Sequence, residues 1–222
     1  MVSEKLIKKY GHDGDSRFLN EGQFEWSSLI ESNSDEIVKE LNMALVDSDD
    51  IPAFHEISEA QKPISKNNDW KTLLFYVFGN EITVNCKKYP STASSLRMIP
   101  GLQNGMFSIL APRTEIPLHR GPYKGLVRYH LALKIPVKGD CYIEVGGERR
   151  SWVKNKSLFI DDSFVHGVVN NTDETRVVLF ADFVRPLPLP LSWLNYIVIY
   201  LISLTDLARE PIDKLQGRGQ GV

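Results

Sequence analysis

Three of the five histidines fall in one stretch of the chain, together with two well-placed arginines. His119 lies in EIPLHRGP, just before a Gly-Pro turn, and His166 lies in FIDDSFVHGVV, just after an acidic turn. Imidazole nitrogens bind transition metals and also exchange protons near neutral pH. A single histidine is more often a structural residue, so the prediction of a site depends on the residues that accompany this pair.

The third histidine shares a strand face with an arginine. In LVRYHLALKIP, Arg128 and His130 are two residues apart, and residues at that spacing point to the same side of an extended strand. The opposite face carries Tyr129 and Leu131 and is expected to lie in the core. A generic strand would turn Arg128 and His130 to solvent, but small apolar neighbours on their own face favour a ligand cavity.

A second guanidinium comes from Arg176, which opens the later strand RVVLFADF. The planar fork of arginine binds carboxylates through two parallel hydrogen bonds. Two histidines that can hold a metal and two arginines that can hold a dicarboxylate suit non-haem iron with 2-oxoglutarate. The residue types therefore indicate an oxidative metal site.

Short strands must position these side chains. Gly139-Asp140, Gly146-Gly147 and Asn170-Asn171 separate short apolar runs after Pro100. No helical pattern lies between the runs, so they predict an antiparallel sandwich or barrel. The fold class expected is mainly β, a double-stranded β-helix (jelly roll) core with N-terminal helices and a C-terminal helix. The predicted strands are Met106–Ala111, Leu126–Ile135, Cys141–Val145, Ser157–Ile160, Gly167–Val169 and Arg176–Val184.

Three segments are predicted along the chain. Residues 1–69 form a helical or irregular lead-in packed on the core, of which residues 1–22 look loosely packed and Phe24–Val46 has helical spacing with a break near Asn33. Residues 70–186 form the jelly-roll domain, opened by a buried strand at Trp70–Phe78, with a helix or turn at Pro90–Ser95. Residues 187–222 form an apolar helix and a polar tail.

The apolar segment Leu191–Leu204 is shorter than a membrane-spanning helix, which needs about 20 apolar residues. It has two interpretations. One is a helix packed on the core or buried in a homodimer interface, and the sparse Lys and Arg nearby favour it. The other is an interfacial anchor that places Trp193, Tyr196 and Tyr200 at the level of lipid headgroups. Contact with a membrane surface stays open.

Composition excludes several classes of function. The 222 residues are 42% hydrophobic and 24% charged with a net charge of −2, so no basic excess indicates a nucleic-acid partner. Cys86 and Cys141 cannot form a disulfide framework and are expected to be free thiols. The polar start MVSEKLIKKYGHDGDS does not resemble a signal peptide. A cytoplasmic protein, peripherally membrane-associated in the second interpretation of the apolar helix, is the expectation.

From Met106 to Pro186 the chain resembles the aspartyl/asparaginyl β-hydroxylase family of Fe(II)- and 2-oxoglutarate-dependent oxygenases. The motifs that carry the resemblance are IPLHRGPYKGLVRYHLALKIP, CYIEVGGERRSWVKNKSLFIDDSFVHGVVNNT and ETRVVLFADFVRP. The resemblance implies a dioxygenase that uses Fe(II), 2-oxoglutarate and O2. It implies that His119 and His166 are the two iron ligands, and that Arg176 and Ser108 hold the distal carboxylate of 2-oxoglutarate.

The resemblance also assigns the neighbouring residues. Arg128 and His130 match the strand pair at the cosubstrate and substrate end of the cavity. Asp161 and Asp162 match the acidic turn before the second ligand, either as a solvated turn or as groups that orient His166. Gly121 stands where commoner iron oxygenases have a carboxylate ligand, and a glycine there implies that water completes the metal shell. Replacement of that glycine by aspartate is expected to supply the missing carboxylate.

The substrate class is left open by two features. Family members that act on peptides carry an arginine where this chain has Leu126, and the phrases HRGPYKGLVRYHLAL and YIEVGGERRSW look closer to bacterial lipid A (fatty acyl) hydroxylases. The expected substrate is an amino-acid or peptidyl side chain or a fatty-acyl group. Two other functions stay alternatives: a non-catalytic jelly-roll module that binds an anionic ligand, and a membrane-associated protein that acts through its C-terminal helix.

Overall fold

The computed structural model describes residues 2–46, 50–65 and 67–219. Two antiparallel sheets face each other, as expected for a jelly roll. The larger sheet has the strand order β2-β1-β3-β10-β5-β8, and the smaller has the order β4-β9-β6-β7. The strands are β1 Trp70–Val77, β2 Asn80–Glu81, β3 Leu102–Leu110, β4 Thr114–Arg120, β5 Leu126–Lys134, β6 Asp140–Val145, β7 Glu148–Arg150, β8 Ser157–Ile160, β9 Val165–Asn171 and β10 Arg176–Val184.

Helices lie before the sheets, between β2 and β3, and after β10. Pro90 opens one of them at a position where its missing N–H has no intrahelical partner to lose. Two short 3₁₀ turns occupy Glu21–Gln23 and Glu59–Gln61. The helices are α1 Val2–Tyr10, α2 Trp26–Ser32, α3 Ser34–Val46, α4 Phe54–Ile57, α5 Thr83–Lys88, α6 Pro90–Arg97, α7 Leu191–Ser203 and α8 Asp206–Gly219.

The three central strands of the larger sheet sort their side chains by residue parity, because successive residues of a strand point to opposite faces. Odd-numbered residues such as Tyr129, Leu179 and Phe107 are fully buried in the core between this sheet and the helices α2, α3 and α6. Even-numbered residues such as Val178 and Phe180 face the smaller sheet. The strand β5 therefore has the register expected from the sequence, with Tyr129 in the core.

Three elements depart from the sequence-based expectations. Residues 2–10 form α1, whose Ile7 is fully buried, so this part of the lead-in packs on the protein instead of lying loose. The strand β4 was missed because Pro117 usually interrupts strands, yet β4 is an edge strand with a register shift between Ile116 and His119 that tolerates the proline. The expected polar tail contains a second helix, α8, with Pro211 inside it.

The C-terminal helix α7 consists mostly of apolar residues. Within the described part of the chain, no single helix is long and apolar enough to cross a bilayer. The consecutive pair Leu191–Ser203 and Ala208–Leu215, bent by 47°, would satisfy the criterion by length and composition if taken together.

Candidate active site

Two histidines meet across the smaller sheet. His119 on β4 pairs directly with His166 on β9, and the centroids of their rings are 4.2 Å apart. The strands bring them together although 46 intervening residues separate them in sequence. Within residues 2–46, 50–65 and 67–219, no third His, Cys, Asp or Glu joins them in a group that could hold a metal ion. The protein therefore offers two nitrogen donors at this point.

Both imidazoles are oriented by backbone carbonyls two residues earlier in the chain. The Nδ1 of His119 lies 2.9 Å from the oxygen of Pro117, and the Nδ1 of His166 lies 3.0 Å from the oxygen of Phe164. A carbonyl only accepts, so each Nδ1 carries the hydrogen and each Nε2 keeps its lone pair. Burial lowers the pKa of His119 and lowers that of His166 to about 3, so both rings are neutral near pH 7. Neutral Nε2 atoms are the form in which histidine binds metals.

Arg128 lies beside this pair and is held by two carboxylates. Its Nη2 is 2.8 Å from Asp162 Oδ2, and its Nε is 3.0 Å from Asp182 Oδ1. Its Nη1 donates to His166 Nε2 at 3.3 Å, and its guanidinium carbon lies 4.4 Å from the centroid of the Phe180 ring. The charge of Arg128 is therefore compensated within the protein, and the group is not a free anion receptor.

The space next to Gly121 is filled by the Asp162 carboxylate. A Cβ atom built on Gly121 would lie 2.1 Å from Asp162 Oδ2, and the Gly121 amide donates to the Asp162 carbonyl oxygen at 2.8 Å. An aspartate at position 121 could enter only if the Asp162 carboxylate left, so the expectation of a simple gain of a ligand there needs correction. Burial raises the pKa of Asp162 to about 6, and its Oδ1 has no hydrogen-bond partner among the described residues.

The second arginine has the opposite environment. Arg176 is 1% exposed, and no carboxylate in the described part of the chain forms an ion pair with it. Its Nη1 makes only two long contacts of 3.4 Å, to the carbonyl oxygen and the hydroxyl of Ser108, and its Nε has no partner there. An isolated buried cation is costly unless an anion reaches it. Burial lowers the pKa of Arg176 to about 10, which leaves the group charged near neutral pH.

Three neighbours surround the Arg176 guanidinium with polar atoms. Trp152 lies against its face at 4.8 Å and donates from Nε1 to His130 Nδ1 at 3.3 Å. Because that nitrogen accepts, His130 carries its hydrogen on Nε2, which is buried and has no acceptor among the described residues. Ser108 accepts a hydrogen bond of 3.0 Å from Trp70 Nε1, so its own hydroxyl hydrogen is free to turn toward a ligand. These orphaned donors fit a carboxylate.

A continuous row of side chains connects the two ends of the site. From Arg176 it passes through Trp152 and His130 to Phe180, whose ring centroid is 5.4 Å from that of His130, and then to Arg128 and the histidine pair. The cavity beside this row has polar groups at one end and a largely apolar wall. Its apolar lining consists of Phe54, Trp70, Leu74, Val77, Phe78, Met106, Pro122, Leu126, Phe180 and Pro211.

All six side chains singled out from the sequence lie in this one region, at the ends just described: His119, His166, Arg128, His130, Ser108 and Arg176. Sequence reasoning missed Trp70, Trp152 and Asp182. Asp182 has the same even parity on β10 as Arg176 and Phe180, and this spacing could have predicted that it faces the site. The two tryptophans gave no such signal, because the sequence does not show which group an indole N–H contacts, and a tryptophan in a strand or loop is ordinarily assigned to the core.

The family follows from comparison with known proteins. A family model of aspartyl/asparaginyl beta-hydroxylases matches residues 31–186. The chain belongs to this family. Its resemblance over Met106–Pro186 is thereby confirmed and extended toward the N-terminus.

Two relatives in the aspartyl/asparaginyl β-hydroxylase family differ in how much of them the chain covers. An ornithine lipid ester-linked acyl 2-hydroxylase of Rhizobium tropici is 37% identical over 212 residues, which are 95% of this chain and 75% of that protein. The human aspartyl/asparaginyl beta-hydroxylase is 29% identical over 172 residues, which are 72% of this chain and 23% of that protein. The chain thus spans most of the first relative and under a quarter of the second.

Solved structures with a related architecture include a Cupin 2 conserved barrel domain protein from Salinispora arenicola. It is 15% identical, has a TM-score of 0.34, and the match covers 59% of this chain and 85% of that one. The strand orders of the two sheets, not this weak likeness, establish the jelly roll of the present family member.

Proposed function

We propose that this protein is an Fe(II)- and 2-oxoglutarate-dependent hydroxylase that acts on an acyl chain of a lipid. The single observation that carries the cosubstrate is the fully buried Arg176 without an anionic partner in the described chain. A protein that leaves such a cation in place generally supplies it with a ligand. Fe(II) with 2-oxoglutarate and O2 supplies the chemistry that introduces oxygen into an unactivated C–H bond.

The metal would be held by the Nε2 atoms of His119 and His166, whose neutral rings lie 4.2 Å apart on paired strands. Arg128 now donates to His166 Nε2 and has to release that nitrogen when a cation binds it. Asp162 and Asp182 already hold the guanidinium and can retain it after that release. The Asp162 carboxylate next to Gly121 could accept a hydrogen bond from water bound to such a metal.

The far end of the site would hold the distal carboxylate of 2-oxoglutarate. Arg176 provides the charge, the Ser108 hydroxyl provides a hydrogen bond, and Trp152 covers the guanidinium from one side. His130 Nε2–H is a further buried donor without a partner among the described residues, and Trp152 contacts both His130 and Arg176. The role of these residues is to bind and orient the cosubstrate and to exclude water from it.

The acyl substrate is supported by the wall of the cavity. Apolar side chains from α4, β1, β3, β5 and β10 line it, and the two arginines in the lining, Arg120 and Arg128, are already paired with carboxylates. An acidic peptide side chain would need a free cation at that place, whereas a hydrocarbon chain needs only apolar contacts. The extensive likeness to an acyl 2-hydroxylase adds support for the same substrate class.

The decisive experiment is an anaerobic titration of the protein with Fe(II) and 2-oxoglutarate, followed by the visible metal-to-ligand charge-transfer band. The band should appear only when both are present, and Arg176→Met should remove it at cosubstrate concentrations that saturate the parent protein. Its absence would leave the alternative of a non-catalytic module. Turnover is then measured with a detergent-solubilised acyl lipid and with an aspartate-containing peptide in parallel, and we expect a hydroxylated acyl chain and no modified peptide.

A further inference from the structure

The helix α7 has an inverted arrangement of polar and apolar residues. Its buried side contains Asn195, which is 1% exposed and donates to the Gly125 carbonyl oxygen at 2.9 Å. Its outer side is apolar and aromatic. Trp193 is 65% exposed and Tyr200 is 63% exposed, and this outer side also carries Leu194, Tyr196, Ile197, Leu201 and Leu204. Soluble proteins rarely expose a contiguous apolar surface of this kind without an interaction partner.

The apolar surface continues onto two neighbouring segments. An apolar groove between α1 and α7 is lined by Leu6, Tyr10, Pro188, Leu189, Pro190, Leu191 and Leu194. The exposed Lys9 on α1 borders this groove, since its ammonium group lies over the ring of Tyr10 at 5.0 Å. Exposed aromatic rings on an apolar face, with a lysine beside the groove, match the boundary between lipid headgroups and acyl chains. Lysine side chains next to that boundary are attracted by anionic lipids.

This surface is joined to the wall of the active-site cavity. Leu191 and Ile199 on the inner side of α7 pack with Leu126, which lines the cavity. After Ser203 only two residues separate α7 from α8, and α8 contributes Pro211 to the same wall. The two C-terminal helices therefore connect the exposed apolar face with the cavity in which an acyl chain would be placed.

We propose that the outer face of α7, together with the α1–α7 groove, docks on the surface of a phospholipid bilayer and does not cross it. The helix has 13 residues and is about 20 Å long, which is shorter than the hydrocarbon core. The helix α8 folds back onto the protein, where Glu210 accepts a hydrogen bond from the Glu59 amide at 2.9 Å. Docking itself is independent of the proposed hydroxylase function; only its purpose, access of a lipid acyl chain to the cavity, rests on that function.

The test uses the full chain without iron or 2-oxoglutarate, in flotation with vesicles of phosphatidylcholine alone and of phosphatidylcholine with phosphatidylglycerol. The parent protein should float with both and more strongly with the anionic vesicles. The triple variant Trp193→Ser, Tyr196→Ser and Tyr200→Ser should reduce the bound fraction about tenfold or more, because it removes three large apolar contacts. The matched control Leu29→Ser, Met43→Ser and Val46→Ser removes three exposed apolar side chains on α2 and α3 and should float like the parent.

A second measurement needs no destabilising substitution. Trp193 is far more exposed than Trp70 and Trp152, so vesicles with brominated acyl chains should quench part of the fluorescence of the parent protein, and Trp193→Phe should abolish that quenching while binding persists. Equal flotation of the triple variant and its control, or no quenching and no flotation at all, would overturn the proposal. A stable dimer that the triple variant dissociates, without vesicle binding, would also overturn it and assign the face to a second copy. Turnover on detergent-solubilised lipid is measured separately, so failure of the hydroxylase proposal leaves this result intact.

Discussion

Two arginines on neighbouring strands, the half-buried Arg128 and the fully buried Arg176, have contrasting environments. Arg128 has two carboxylate partners and a place beside the histidine pair. Arg176 is more deeply buried, and no carboxylate within the described ranges is paired with it. The difference indicates two roles. The Arg128 guanidinium neutralises carboxylates inside the protein, and the Arg176 guanidinium is available to an anionic ligand. The residue types alone presented both as carboxylate receptors, and only the family resemblance assigned the distal carboxylate to Arg176 and the other end of the cavity to Arg128.

The largest effect is expected at the histidine pair that lies beside Arg128. His119→Ala and His166→Ala should each abolish stoichiometric Fe(II) binding, because a site with two protein donors cannot lose one. Isothermal titration under anaerobic conditions measures this directly. The exposed His12 provides the control, and His12→Ala should bind iron like the parent. Retention of iron by either site variant would contradict the ligand assignment.

Substitution of each arginine by methionine distinguishes their roles. Arg176→Met should weaken 2-oxoglutarate by about 100-fold or more through the loss of a charge-assisted pair, while the free energy of unfolding of the unliganded protein stays equal or rises. Arg128→Met should lower that free energy by about 3 kcal/mol, because Asp162 and Asp182 lose their shared partner. Chemical denaturation and cosubstrate titration of both variants give the four numbers required.

Replacement of Arg176 by lysine keeps the positive charge and tests the geometry of the guanidinium alone. Arg176→Lys should weaken 2-oxoglutarate far more than Fe(II), since lysine replaces a planar fork by a point charge. Similar affinities for 2-oxoglutarate in Arg176→Lys and the parent protein would remove Arg176 from the role proposed for it.

A smaller effect is expected where Asp162 fills the space beside Gly121. Gly121→Ala should lower the free energy of unfolding by about 1–3 kcal/mol, because its methyl group must push the carboxylate away from Arg128. Adding Asp162→Ala should recover part of the methyl group's cost, since the space becomes vacant. Gly22→Ala serves as the control, as the nearest atom to its Cβ is 3.4 Å away. Additive losses in the double variant would argue against a shared volume.

A pH dependence at the metal end of the site is also expected, and near neutral pH it is the smallest of these effects. The pKa of His166 is lowered to about 3 in the folded protein, so the unfolded chain takes up this proton first as the pH falls. The metal-free protein should therefore lose stability from about pH 6.5 downward, by at most about 1.4 kcal/mol per pH unit for this one proton. His166→Gln should flatten the profile by that amount. Asp162, with its pKa raised to about 6, contributes stability that is lost as the pH rises. This contribution is the same in the parent protein and in His166→Gln.

The sequence was most informative where local pattern and tertiary position agree. The ranges expected for Ser157–Ile160 and Arg176–Val184 match β8 and β10, and the register of β5 follows directly from its alternation. The pattern failed at β4, where Pro117 hides an edge strand, and at α1 and α8, whose polar residues conceal the side that packs. The pairing of Arg128 with Asp182 depends on strand register between β5 and β10, which no local pattern specifies.

The parity of the central strands has a consequence for how such an enzyme can be altered. Odd positions of β3, β5 and β10 fill the core against the helices, whereas even positions such as Met106, Leu126 and Phe180 line the cavity. The two sets occupy opposite faces of one sheet, so a combinatorial library confined to the apolar even positions Met106, Leu126 and Phe180, with the polar even positions kept, should change the chain-length preference of the proposed hydroxylase without a general loss of folded protein. Alternate residues of the same three strands thus determine the shape of the cavity and the stability of the fold separately.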